Sequence, residues 1–185
     1  MNYTIYDYLG LFFLYAFLGW LLETTVSAVR KKHIVNRGFL NGPLCAIYGI
    51  TAVVMTRYLY ELHSSPVFLF LGCMIIATAA EWIAGHVLER IGHGKWWDYS
   101  NKPLNFHGYI CLEFSLIWGL AIVMVVKVFQ KYVERQASHT PSTLEWVVMA
   151  ILYAVYLADF IVTVAVIRGL NKKLTRLDKV RADLR

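Results

Sequence analysis

Five apolar stretches alternate with short polar segments along the chain: about Tyr8 to Val29, Leu44 to Leu62, Val67 to Leu88, Tyr109 to Phe129 and Trp146 to Ile167. A helix that crosses the hydrocarbon core of a bilayer needs about 20 mostly apolar residues. The pattern therefore predicts an all-α polytopic membrane helix bundle with about five transmembrane helices. Residues 1–167 form a single transmembrane helical domain, and 168–185 form a basic amphipathic tail. The first stretch is too long for a secretory signal, has no basic residues before it and is followed by Arg30-Lys31-Lys32, so it is expected to stay in the protein.

Composition agrees. Hydrophobic residues make up 58% of the chain and charged residues only 16%, which leaves little for a water-soluble domain. Lysine and arginine set the orientation. With the N-terminus outside, fourteen of them fall in cytoplasmic segments and four on the other side. The C-terminus is then cytoplasmic, and the net charge of +6 faces an anionic inner leaflet of the cell (plasma or inner) membrane. The bilayer is the expected partner, and no nucleic acid is needed to explain the charge.

Against that apolar background Glu23, Glu81, Glu113 and Asp159 stand out. Each lies roughly 7 to 14 Å from the cytoplasmic end of its span at 1.5 Å per residue. Charges at such depth are costly and are kept for a partner or a task. Taken singly, each could snorkel or bond a neighbouring helix. Together they predict a polar cavity open to the cytoplasm.

The two longer cytoplasmic loops point to the same place. Asn36-Arg37-Gly38-Phe39-Leu40-Asn41-Gly42-Pro43 leads into the second span, with Pro43 suited to its first turn. Trp96 to Gly108, carrying Asp98, Tyr99, Ser100, Lys102, Asn105 and His107, leads into the fourth. Both spans then present helix N-termini to the cytoplasmic rim, where an anionic group is favoured and Arg37 could hold it in a bidentate pair. An interfacial belt accounts for Trp96, Trp97, Tyr99 and Phe106 equally well. It accounts poorly for the accumulated Asn, Asp, Ser and Arg.

The three cysteines, Cys45, Cys73 and Cys111, lie inside apolar stretches without Cys-x-x-Cys spacing, so neither a disulfide framework nor a zinc site is expected. No metal site and no cofactor is assigned. In the tail, Leu170, Leu174, Leu177, Val180 and Leu184 recur every three or four residues among lysines and arginines. That is an amphipathic basic helix, suited to the inner leaflet or to a docking partner.

Four ordered segments resemble one family: Leu18-Gly19-Trp20-Leu21-Leu22-Glu23; Asn36 to Pro43 with Tyr48-Gly49; Trp96 to Ser100 with Asn105; and Ile110 to Ser115 with Trp118-Gly119. They are similar to the signature of a bacterial family of small membrane proteins described as putative ABC-transporter type IV, or ABC-transporter permease-like. The resemblance covers about Leu11 to Leu120. Where the family usually has Cys-Pro-Ile-Tyr-Gly, this chain has Cys45-Ala46-Ile47-Tyr48-Gly49, so a kink from that proline is expected to be missing. The resemblance implies transport, yet the chain has no Gly-x-x-x-x-Gly-Lys-Ser/Thr phosphate loop, so an ATPase would be a separate subunit. Five helices are few for alternating access, which makes a homodimer or larger partner an expectation.

Three functions fit these residues. A transport-related component for a small polar or anionic solute or ion would use Glu23 and Glu81 for a cation or proton, and Arg37 with Asn36 for an anionic part. Asn41, Tyr48, Asp98, Tyr99, Ser100, Asn105, His107 and Glu113 complete its candidate binding set. A metal-dependent intramembrane enzyme on a lipid-linked or phosphorylated substrate would use Arg37, Asp98, His107 and Glu113, with His86 in reserve. A scaffold would use Gly72, Ala77, Ala80, Ala84 and Gly85 for close helix approach.

Overall fold

The computed structural model describes residues 3–59, 62, 64–128 and 140–183. Most of the external connector expected at Gln130 to Thr143 lies outside the described residues. In chain order the elements are α1 (Ile5–Lys31), α2 (Ala46–Tyr58), α3 (Pro66–Gly92), β1 (Asn105–Phe106), β2 (Ile110–Cys111), α4 (Leu112–Val128) and α5 (Thr143–Asp183). Three of them, α1, α3 and α5, are long and apolar enough to cross a membrane. This is a helical membrane protein.

Local chemistry sets the ends of the long helices. Thr4 and Asp7 close a reciprocal capping box at the start of α1. Pro66 opens α3, where a missing amide costs nothing. Both helices stop at a residue in the left-handed region, Lys32 (φ 58°) and His93 (φ 53°).

Helix α2 is shorter than its apolar stretch suggests. Its 13 residues reach about 20 Å, well under the thickness of a hydrocarbon core. The reason lies in the segment before it. The Cys45 amide donates to the Ala16 carbonyl at 2.9 Å, and Ala16 sits about 22 Å back from the Lys31 end of α1. So the chain from Val35 to Leu44 does not stay at the rim; it turns back alongside α1, with Leu40 buried at 3% exposure. The second loop does the same, since the Tyr109 ring packs onto Gly85, about 10 Å inside the Gly92 end of α3. Irregular backbone at such depth is tolerated only where protein satisfies its polar groups.

Pro43 consequently lies ahead of the helix rather than in its first turn, which Ala46 opens after the N-cap Cys45. The proline usual in the family would fall at Ala46, a position where it starts a helix instead of kinking it. Cys45 is already extended (φ −112°, ψ 94°), as a residue before proline prefers to be. Ala46→Pro is expected to leave the thermal midpoint in detergent unchanged or a few degrees higher, a gain of about 0–1 kcal/mol.

Packing repeats one plan twice. Helix α1 pairs with α2, and α3 pairs with α4, each long helix followed by an inserted loop and a shorter helix. Glycines permit the close approach: a Cβ at Gly49 would strike the Phe12 backbone, and one at Gly119 would meet Met74. Met55, Leu69, Cys73 and Ala77 form the core between the pairs, joined by Trp118 and Ile122 of α4. Helix α5 packs on α3 and also on α1, where Tyr153 and Tyr156 meet Phe12 and Phe13. It runs on through residue 167 without a break, so the tail is an extension of the last span.

Candidate functional site

Two of the four expected acids meet. In the first hairpin the Tyr48 hydroxyl of α2 donates to Glu23 Oε1 at 2.7 Å. In the second, the Trp118 indole of α4 donates to Glu81 Oε1 at 3.2 Å. The Tyr48 and Trp118 rings then touch edge to face, 5.8 Å between centroids, and join the two halves. Each short helix thus supplies an aromatic donor to the acid of its own long helix. Gly19 makes room for Tyr48, whose ring occupies the space a Cβ would need.

A third donor comes from the second loop. Tyr99 Oη lies 3.0 Å from Glu81 Oε1, and its ring stacks on Phe114 at 4.7 Å. Burial, then the adjacent Glu81 carboxylate, hold the Tyr99 phenol well above the ordinary tyrosine range, with Glu23 contributing in the same direction. Tyr99 is therefore a donor here, never a phenolate at neutral pH. Glu81 itself is 8% exposed, and its second oxygen, Oε2, is closed off from solvent with no hydrogen-bond partner among the described residues. The Thr24 and Ser27 hydroxyls of α1 are likewise buried without hydrogen-bond partners among the described residues. Aromatic rings pack beside both acids, with Glu81 buried and Glu23 partly exposed.

Asp159 has another role. Its Oδ1 accepts from the Asn41 amide (3.2 Å), the Asn41 side chain (2.9 Å) and Thr163 Oγ1 (3.2 Å), while Oδ2 accepts from the Gly42 amide (2.8 Å). It clips the first inserted loop to α5. Asn36 works from within that loop: its Oδ1 accepts from the Trp20 indole and the Gly38 amide, and its Nδ2 donates to the carbonyls of Leu40 and Asn41. All four hydrogen-bonding positions of the amide are used, which leaves none for a solute. Asn36 and Asn41 are the loop's internal frame. Arg37 is exposed, makes no ion pair among the described residues and lies within electrostatic range of Cys45, as Glu23 does.

The second loop is likewise bonded to itself. Asp98 accepts from the Ser100 amide and hydroxyl, which hold its carboxyl below the usual range, and sits 3.6 Å from Lys95. Asn105 donates to the carbonyls of Ser100 and Lys102 and accepts from the Gly108 amide. His107 (φ 52°) and Gly108 (φ 75°), both in the left-handed region, are the central residues of the Phe106–Tyr109 turn within the three-residue connection from β1 to β2. The His107 ring stacks on Phe106. Lys95 donates to the His107 carbonyl, and the Trp97 indole to that of Tyr109. His86 lies between Trp82 and Tyr109, and the Tyr109 hydroxyl bonds Glu89.

Glu113, expected among the converging acids, is exposed and pairs with Lys102 at 3.0 Å. A solvent-exposed pair of this kind contributes little. Glu113→Gln is expected to change stability by less than about 1 kcal/mol, read as a shift of a few degrees at most in the thermal midpoint. The enzyme constellation of Asp98, His107 and Glu113 does not come together: each is engaged with a different partner, and no three His, Cys, Asp or Glu side chains converge among the described residues. An open apolar groove of about 510 Å³ lies between α3, α4 and the β1–β2 hairpin, lined by Met74, Ile75, Trp82, Phe106 and Ile110, and it does not include the acids.

Trp118 is the site residue that spacing alone did not single out. A tryptophan inside a span has an indole N–H that must find an acceptor, and that need was the available signal. The chain's match to known families extends over residues 10–164. It belongs to the putative ABC-transporter type IV family. Family membership therefore reaches past Leu120 and takes in about half of α5, including Asp159, whereas the tail from Arg168 lies outside it. No curated protein and no solved structure matches the chain. The family's description and the three long apolar helices point to an ABC-transporter-like membrane protein.

Proposed function

We propose that the chain is the membrane subunit of a transport system in which the Glu23–Tyr48–Trp118–Glu81 cluster takes up and releases a proton or small cation. The single observation that carries this is Glu81 Oε2: a carboxylate oxygen sealed in the bundle core with no donor among the described residues. Buried polar groups are almost always hydrogen-bonded, so an oxygen left over calls for something that arrives and leaves. Tyr99 stands over it from a loop, and a shift of that loop would open Glu81 to a cytoplasm-facing polar cavity. Arg37, exposed beside the start of α2, would meet an anionic part of the solute.

The lysine and arginine distribution supports an N-terminus outside and a cytoplasmic C-terminus in the plasma or inner membrane, with all five helices embedded. Energy would come from a separate ATPase subunit, because the sequence has no phosphate-binding loop of its own. A homodimer would supply the helices that one chain lacks for a full pathway. The test is proton and cation flux into vesicles that enclose pH- or cation-sensitive dyes. Flux above protein-free vesicles is expected; vesicles holding folded protein that pass neither, with or without the co-expressed ATPase, would refute the reading.

A further inference from the structure

Three polar side-chain atoms among the described residues are closed off from solvent without a hydrogen-bond partner: Glu81 Oε2 and, on α1, Thr24 Oγ1 and Ser27 Oγ. Both hydroxyl residues are only 7% exposed. Ser27 follows Glu23 by one helical turn and Thr24 by three residues, so on the helix surface it neighbours both. It also lies about 6 Å inside the Lys31 end of α1, the end that faces the cytoplasm in the proposed orientation. Glu23 in turn is within electrostatic range of Glu81 and of Tyr99. The polar groups form a series, with Ser27 and Thr24 nearest the rim, then Glu23, then Glu81.

Packing alone does not call for these hydroxyls, because the fold builds the same helix pair a second time without them. Ile47-Tyr48-Gly49 recurs as Ile117-Trp118-Gly119, and Phe12 against Gly49 is matched by Phe70 against Gly119. The register that takes Phe12 to Phe70 takes Glu23 to Glu81, Thr24 to Trp82 and Ser27 to Gly85. So the second half keeps the acid and replaces both hydroxyls, with the Tyr109 ring packed onto Gly85. The aromatic donors differ in the same sense. A tyrosine hydroxyl such as that of Tyr48 both donates and accepts, whereas the Trp118 indole only donates. At these matched positions the groups able to relay a proton all fall in the first half. A metal cation suits the set less well, since hard cations gather several oxygen ligands at once, while Trp118 and Tyr99 both approach Glu81 as donors.

We infer that the ion of the proposed site is a proton, and that it reaches Glu23 and Glu81 from the Lys31 end of α1 past the Ser27 and Thr24 hydroxyls, a step that rests on the transport reading and adds its substrate and route. A hydroxyl that accepts a proton on a lone pair releases its own to the next group, so Ser27 and Thr24 end unchanged and the net transfer is one proton onto the acid pair. Gaps of about one turn, roughly 5–6 Å, are bridged by single waters held between these polar groups.

The test uses the full chain in vesicles enclosing a pH, sodium or potassium dye, with a gradient of one ion at a time. Proton flux without sodium or potassium flux is expected. Thr24→Val with Ser27→Ala removes both hydroxyls at nearly constant size and should slow proton flux about tenfold or more, while Thr24→Ser keeps the hydroxyl and most of the flux. A buried hydroxyl without a partner costs stability, so the double variant should melt at or above the parent's midpoint. A lower midpoint would show that the hydroxyls are bonded within the bundle, and it would overturn the route, as would unchanged proton flux in that variant. Sodium or potassium flux in place of protons would overturn the inference and leave the transport reading standing. No flux of any of the three ions would sink both.

Discussion

Glu81→Gln is expected to lower flux at least tenfold while leaving the protein folded. Glutamine keeps the side chain's size and one carbonyl oxygen, so Tyr99 and Trp118 still find an acceptor where Glu81 Oε1 was. What disappears is the group that can gain and lose a proton. Hydrogen bonds to a charged acceptor contribute about 1.5–3 kcal/mol and neutral ones about 0.5–1.5, so the stability cost is about 1–2 kcal/mol. Glu81→Ala is the harsher comparison, for it strands the Trp118 indole and the Tyr99 hydroxyl together in the core and should cost about 3 kcal/mol or more. Flux in vesicles and thermal unfolding in detergent check both. Full flux in the glutamine variant would remove Glu81 from the transport step.

Asp159→Ala is expected to have a large effect on stability. It withdraws the acceptor from two backbone amides, the Asn41 side chain and Thr163 at once. The Gly42 amide is part-buried and the Asn41 groups are exposed, so the lost charge-assisted hydrogen bonds together cost about 2–4 kcal/mol. The seat of the first inserted loop would open, and the half-buried Cys45 thiol should react several-fold faster with a membrane-permeant thiol reagent. Asp159→Asn keeps one acceptor oxygen and should fall between. Unchanged melting and unchanged Cys45 reactivity in the alanine variant would show that the clip contributes nothing.

Hydropathy alone made the helical membrane architecture readable, and three stretches emerge as long helices close to where the apolar runs place them. The re-entry of both loops was not readable. Asn36 to Pro43 looks the same in sequence whether it rests at the rim or folds back along α1; only the Cys45–Ala16 hydrogen bond reveals its depth. For the same reason α2 came out shorter than its stretch of apolar residues.

The acids show where one-dimensional reading stops. Depth along a helix follows from counting residues, and rotation about its axis does not. Glu23 and Glu81 turn inward onto one aromatic bridge, Asp159 turns to a loop, and Glu113 turns out to Lys102. The Asn residues show a different kind of placement. Their crowding at the loop mouths suggested solute contacts, whereas Asn36 and Asn105 spend their side chains on nearby backbone groups.

The likeness of the two hairpins bears on how the protein comes to be assembled. Each half carries its acid and the matching aromatic donor on the same polypeptide segment, so neither depends on the other for a hydrogen bond to its carboxyl group. Biogenesis can therefore proceed in two self-contained insertions, with the Tyr48–Trp118 edge contact formed last, when the finished halves find each other.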